Sequence, residues 1–207
     1  MTKIPLTRIE AAPEKSASIR AAVRSVSFPP GGRKRLAAAG DAAAFHDLIA
    51  DPRVSDPIYT LPKPPTLDAA RAFIERHQAE RARGEGLLIF DFDEAGGIAG
   101  YHDIQVWPEW AASELGGAIR PDGQGGGAGT AGAAMAFDWL FDVVGVDLIC
   151  ETAALDNVRT RKLLERIGFR FVGEIESELP DGGVRPSFYF ELTRAEWRRR
   201  NQASTID

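Results

Sequence analysis

"IRPDGQGGGAGTAG", residues 119 to 132, holds five glycines between Gly123 and Gly129. Glycine in an ordered segment costs about 0.5–1 kcal/mol against alanine. Such a run is therefore either a flexible linker or a loop whose bare amides approach a ligand. Its flanks decide. Upstream, "SELGGAI" (Ser113–Ile119) reads as a strand. Downstream, "TAGAAMAFDWLFDVVG" sets Ala133, Phe137, Leu140, Phe141 and Val144 on one stripe and Asp138 and Asp142 on another, the pattern of an amphipathic helix. A further strand, "DLICETA" (Asp147–Ala153), follows. A linker between domains does not belong inside a β-α-β unit. At the start of a helix several N–H groups lack partners, and with the helix dipole they form an anion site. The glycines allow both the turn and close contact with a phosphate or pyrophosphate.

Two familiar phosphate loops do not fit. The dinucleotide fingerprint needs its glycines after the first strand of the fold, with an acidic residue about 20 positions on. Here more than a hundred residues and a hairpin come first. The P-loop needs Gly-Lys-Ser or Gly-Lys-Thr, and neither follows these glycines.

The rest of the chain supplies the frame. "DAAAFHDLIAD" opens with Asp41 as a helix cap and carries Phe45, Leu48 and Ile49 at helical spacing. "TLDAARAFIERHQAERARG" is a second helix, from a Thr66 cap to Gly84, with Ala70, Phe73, Ile74 and His77 on one side. "GLLIFDF" (Gly86–Phe92) and "GIAGYHDIQVW" (Gly97–Trp107) are strands joined by the turn "DEAGG". "NVRTRKLLERIG" is a helix with Thr160, Leu163, Leu164 and Ile167 inward; "FRFVGEIESEL" and "SFYFELT" are strands around a second hairpin turn, "PDGGVRP". A short first strand is expected near residue 25, in "SVSFPPGG", and residues 1–32 are otherwise a helix or a loose arm. The order predicts an α/β protein with a mixed, mostly antiparallel twisted sheet of six to seven strands, a splayed β-α-β site and about four helices. The expected domains are an arm at 1–32, a main domain at 33–197 and a tail at 198–207.

Composition bounds the function. In 207 residues, 44% are hydrophobic and 27% charged, with a net charge of −5, which fits a globular domain and argues against a nucleic-acid surface. The single cysteine, Cys150, excludes an internal disulfide and a cysteine-rich metal site, and its apolar neighbourhood reads as core. No membrane span and no signal-peptide core are visible, so a reducing, cytoplasmic setting is the expectation, with no metal and either a monomer or a homodimer.

"QGGGAG" (Gln124–Gly129) matches Q-x-x-G-x-G/A, the pyrophosphate-binding signature of the GNAT superfamily of N-acetyltransferases. The resemblance extends through "ELGGAIRPDGQGGGAGT", through "DNVRTRKLLERIGF", through the two helices before them and to the closing "FELTRAEW", over about residues 33–197. The end resembles the branch that acetylates N-terminal amines of ribosomal proteins and certain small amines. The resemblance implies acetyl-CoA as co-substrate and a primary amine as acceptor. Amides from Gly125, Gly126, Gly127, Ala128, Gly129 and Thr130, together with Gln124, would hold the pyrophosphate. Main-chain groups near Ala118 and Arg120 would hold the pantetheine arm. Asn157 would bond the pantetheine or the acetyl end, cap its helix, or do both. Arg161 either reaches the adenosine phosphates or faces solvent. Two departures stand out: Gly126 lies where the family often carries Lys or Arg, and Leu164 where many members place a tyrosine acid.

Acetyl transfer needs a neutral amine, and a carboxylate suits its deprotonation. Glu114 is the candidate base, or else an exposed strand-end glutamate. Thr160 is the polar residue nearest to position 164 on the inward stripe and can donate a hydrogen bond to the departing thiolate. His102 either lines the acceptor site or is structural, and Trp107 and Trp110 either wall that site or close the core. The alternatives are a polyamine or antibiotic acetyltransferase, and a non-catalytic CoA-binding module on the same fold.

Overall fold

The computed structural model describes residues 3–124, 128–179 and 182–203. Among these, seven helices and seven strands occur in the order α1 (Pro13–Ser25), β1 (Lys34–Leu36), α2 (Ala42–Ile49), α3 (Pro52–Ser55), α4 (Leu67–Arg83), β2 (Gly86–Phe92), β3 (Ile98–Trp107), β4 (Ala112–Ile119), α5 (Ala128–Trp139), β5 (Leu148–Ala154), α6 (Val158–Ile167), β6 (Arg170–Glu178), β7 (Val184–Thr193) and α7 (Arg194–Ala203). The strands follow one another as β1-β2-β3-β4-β5-β7-β6, and β4–β5 is a parallel pair in a mostly antiparallel sheet. The mixed α/β sheet expected from sequence is present.

Three local expectations are corrected. The first strand is Lys34–Leu36 rather than a segment near residue 25. Pro29 and Pro30 have no N–H to give a ladder, and α1 occupies the chain up to Ser25. Among the described residues the helices number seven rather than about four, because α1, the single turn α3 and α7 add to those read from periodicity. Asp41 precedes α2 but does not cap it with its side chain. Its carboxylate instead accepts from the Ala38 N–H at 2.8 Å and from both terminal nitrogens of Arg35.

The chain divides into two compact units. One comprises Arg20–Gln105 with Leu115–Gly129. Its core lies between α2 and α4 and one face of β2 and β3, where the Phe45 ring meets Phe73, Phe90 and Tyr101 at centroid distances of 5.1–5.4 Å. Thr66 caps α4, its hydroxyl accepting from Ala69 N–H, and Gly84 ends the helix in the left-handed region at φ 76°. A side chain at Gly84 would also collide with the Arg20 backbone at 2.6 Å, so glycine is required twice over.

The other unit comprises Met1–Ile19, Val106–Glu114 and Thr130–Asp207. Here β7 pairs with β5 and β6, and the first residues of β4 run parallel to β5 through Ala112↔Leu148 and Ser113↔Ile149. Phe137 of α5 packs on Phe169 and Trp197, and the Trp197 indole donates to Asp138 at 2.6 Å. After Trp139 the helix widens into a π-turn, Leu140–Val144, and Gly145 at φ 89° ends it. That turn keeps Leu140, Phe141 and Val144 buried together.

Candidate functional site

Glu114 is the residue after the last β4–β5 register pair, and it is half-buried. Its Oε1 accepts from the Thr152 hydroxyl of β5 at 2.9 Å. Thr152 was not singled out from sequence; its alternation with Cys150 along "CETA" was the available signal.

Just past the C-terminal end of β5, Asn157 caps α6. Its Oδ1 accepts from the Thr160 N–H at 3.0 Å, which leaves the side-chain NH₂ as the end of Asn157 that can donate outward. Thr160 is half-buried in the first turn, while Leu164 and Ile167 are buried beyond it. Arg161 lies over the Phe188 ring at 4.8 Å and pairs with Glu165, so its guanidinium is engaged on the helix surface. Cys150 is fully buried, and burial with the nearby Glu114 and Glu151 charges pushes its thiol well above the ordinary range. It has the character of core, not of a nucleophile. Trp107 packs, half-buried, against Cys150, Ile175 and Tyr189.

In the unit of β1–β3 the remaining predicted residues are placed as follows. Ala118 packs on the Phe45 core. Arg120 donates its N–H to the Ala99 carbonyl at 2.7 Å and its guanidinium to the Ile98 carbonyl at 2.8 Å, so it fastens the end of β4 to the start of β3. Gln124 closes the turn Pro121–Gly123, its side-chain amide donating to the Ile119 carbonyl at 2.8 Å. Gly125, Gly126 and Gly127 lie outside the described residues, as do the side chains of Ala128 and Thr130. α5 starts at Ala128, directly after the glycine run, and the space around Gly129 is open. The first amides of this twelve-residue helix have no intrahelical acceptor, which is the chemistry a pyrophosphate requires. His102 sits in a polar cluster, its Nε2 at 2.7 Å from Asp91 and 2.8 Å from Lys34.

Two buried pairs escaped the sequence reading. His77 meets Asp103 at 2.8 Å. Glu191, 1% exposed, accepts from Tyr189, Thr7 and Arg170. A lone carboxylate in the apolar strand "SFYFELT" was the only sign of the second. Among the described residues no group of three or more His, Cys, Asp or Glu side chains is arranged to hold a metal ion, and no helix is long and apolar enough to cross a membrane.

Residues 34–170 match the family model described as acetyltransferase (GNAT) domain. The chain belongs to the GNAT acetyltransferase family. It is thus an acyl-CoA-dependent N-acetyltransferase by family. Among solved GNAT-fold structures similar to it is the ribosomal-protein-S5-alanine acetyltransferase from Vibrio fischeri, at 18% identity over 84% of this chain and 99% of that one, with a TM-score of 0.65. Mycobacterium smegmatis RimJ, solved with CoA-disulfide, is 24% identical over 79% of this chain and 82% of that one, with a TM-score of 0.66. The spermidine N-acetyltransferase from Vibrio cholerae, solved with CoA and spermine, is 18% identical over 79% and 96%, with a TM-score of 0.63. At these identities the likeness is one of fold. No curated protein matches the chain by sequence.

Proposed function

We propose that this GNAT protein transfers the acetyl group of acetyl-CoA to a primary amine, a protein N-terminus or a small-molecule amine, by direct attack in a ternary complex. The observation that carries the reading is the start of α5 at Ala128, immediately after "QGGG" (Gln124–Gly127), within a GNAT domain. Main-chain amides from Gly125 to Thr130 hold the pyrophosphate, and the helix dipole substitutes for the cation missing at Gly126. Main-chain groups near Ala118 bond the pantetheine arm. The NH₂ of Asn157 bonds the pantetheine or the acetyl end. At Arg120 the N–H is bonded to the Ala99 carbonyl, the guanidinium to the Ile98 carbonyl and the carbonyl to the Gly123 N–H, so this residue shapes the strand end beside the arm.

Acetyl-CoA supplies an activated thioester. The amine nitrogen forms the new C–N bond, the C–S bond breaks, and the electron pair leaves with sulfur. Glu114, held by Thr152, takes the proton that the amine must lose. Thr160 donates a hydrogen bond, directly or through water, toward the departing sulfur. Cys150, buried and with a raised pKa, forms no covalent intermediate.

Acetyl-CoA should raise the melting temperature of the wild type, because a ligand that binds only the native state stabilises it by mass action. Gly127→Glu, adding bulk and a like charge, should abolish the shift. A full shift in that variant would place the pyrophosphate elsewhere.

A further inference from the structure

The segment from Ile4 to Ala11, ahead of α1, is pinned to the unit that carries Glu114. The Leu6 N–H donates to the Tyr189 hydroxyl at 2.9 Å. Thr7 donates twice to Glu191, from its N–H at 3.0 Å and from its hydroxyl at 2.7 Å. The Tyr189 hydroxyl donates a hydrogen bond to the same carboxylate at 2.8 Å. Ile4 packs into the cluster of Cys150, Ile175, Tyr189 and Trp107. Further along, the Ala11 N–H donates to the Glu109 carbonyl at 2.8 Å, and the Arg8 guanidinium lies 6.0 Å from the Trp110 ring. Eight residues with no helix or strand of their own are thus fastened at both ends.

The place of attachment gives the strap its meaning. In the β5–β7 register Tyr189 is the direct partner of Thr152, and Glu191 of Cys150. Directly opposed residues of an antiparallel pair share a face, with Cβ atoms about 4.5–5.5 Å apart. Thr152 in turn donates to Glu114. Glu114, Thr152 and Tyr189 therefore form one row across β4, β5 and β7, and the Leu6 amide lands at its end. The second anchor is the loop that displays Trp107 and Trp110. Both anchors are thus parts of the surroundings of the candidate base.

We infer that the strap Ile4–Ala11 forms a wall of the acceptor side, and that Glu191 and Tyr189 are positioning residues that set how the amine acceptor is held beside Glu114. This rests on the reading of the chain as an amine acetyltransferase. Residues 1–32, which carry no family motif, would then contribute to acceptor choice and not to cofactor binding.

Hydrogen exchange of the full-length protein, wild type against Thr7→Ala, Tyr189→Phe and Glu191→Gln, reads the latch itself, and steady-state kinetics with an accepted amine reads its consequence. Thr7 lies at the surface, so Thr7→Ala keeps the test valid should Glu191→Gln fail to fold. Faster exchange across residues 4–11, an acceptor KM raised about fivefold or more and an unchanged acetyl-CoA Kd would support the inference, with kcat at saturating acceptor little altered. Faster exchange with every acceptor KM unchanged would make the strap purely structural and overturn it. Unchanged exchange in all three variants would overturn the latch. If the wild type acetylates no amine at all, the enzymatic reading fails first and the acceptor wall falls with it, whatever the exchange data show.

Discussion

The His77 imidazole of α4 is clamped between two acceptors, the Phe73 carbonyl at 2.8 Å from Nδ1 and the Asp103 carboxylate of β3 at 2.8 Å from Nε2. A neutral ring can donate to one of them; an imidazolium donates to both. Burial alone would lower its pKa, but the hydrogen bond and charge of Asp103, the Phe73 carbonyl and the Glu80 charge outweigh it, and the pKa stands above 6.5.

A raised folded-state pKa fixes the sign of a pH effect. The stabilisation is complete below the unfolded value near 6.5 and is lost as pH rises through the folded value. Chemical denaturation of the wild type should therefore show a fall in stability from pH 6 upward that His77→Gln lacks. Parallel curves for the two proteins would show that the pair does not carry charge.

Gly117 sits in β4 at φ 145°, and a Cβ there would lie 2.2 Å from the Tyr101 carbonyl oxygen of β3. Neither backbone can yield without breaking the strand pairing. Gly117→Ala should cost about 2 kcal/mol or more. Its neighbour is the control: at Gly116 the nearest atoms belong to Asp103 at 3.7 Å, so Gly116→Ala should cost well under half as much. Equal losses in equilibrium unfolding would contradict this packing.

Cys150 should resist alkylation in the native protein and react only on unfolding, since it is fully buried and its thiol is pushed upward. Cys150→Ala should keep its turnover. Loss of activity in a variant that is still folded would reopen a covalent route.

Glu114→Gln should lower kcat by ~10²-fold or more near neutral pH, the scale of general base catalysis. The deficit should shrink at high pH, where the amine is already neutral. Thr160→Val should lower kcat more modestly and leave the acetyl-CoA Kd nearly unchanged. Wild-type rates for Glu114→Gln across the pH range would move the base elsewhere, with His102 the next to replace.

What the sequence disclosed was local in origin. The Asn157 cap, the Thr66 cap and the "DEAGG" turn depend on residues a few positions apart, and each stands where the pattern put it or directly beside it. The strand displaced from near residue 25 to Lys34–Leu36 shows the limit: β-propensity in "SVSF" is overruled by two prolines and by α1. Long-range pairs left little trace. His77 and Asp103 are 26 residues apart, and Thr7 and Glu191 are 184 apart. No periodicity links such residues, so the buried ion pair and the strap emerge only once the strands are in register.

The central claim is acetyl transfer to an amine, and coenzyme A release across N-terminal peptides, polyamines and aminoglycosides, with the product identified by mass, tests it most directly. The account predicts amine-dependent release matched one for one by an N-acetylated product, and a sharp loss of both in Glu114→Gln. Acetyl-CoA binding with no acetylated product from any amine would contradict it and leave a CoA-binding module on a GNAT fold.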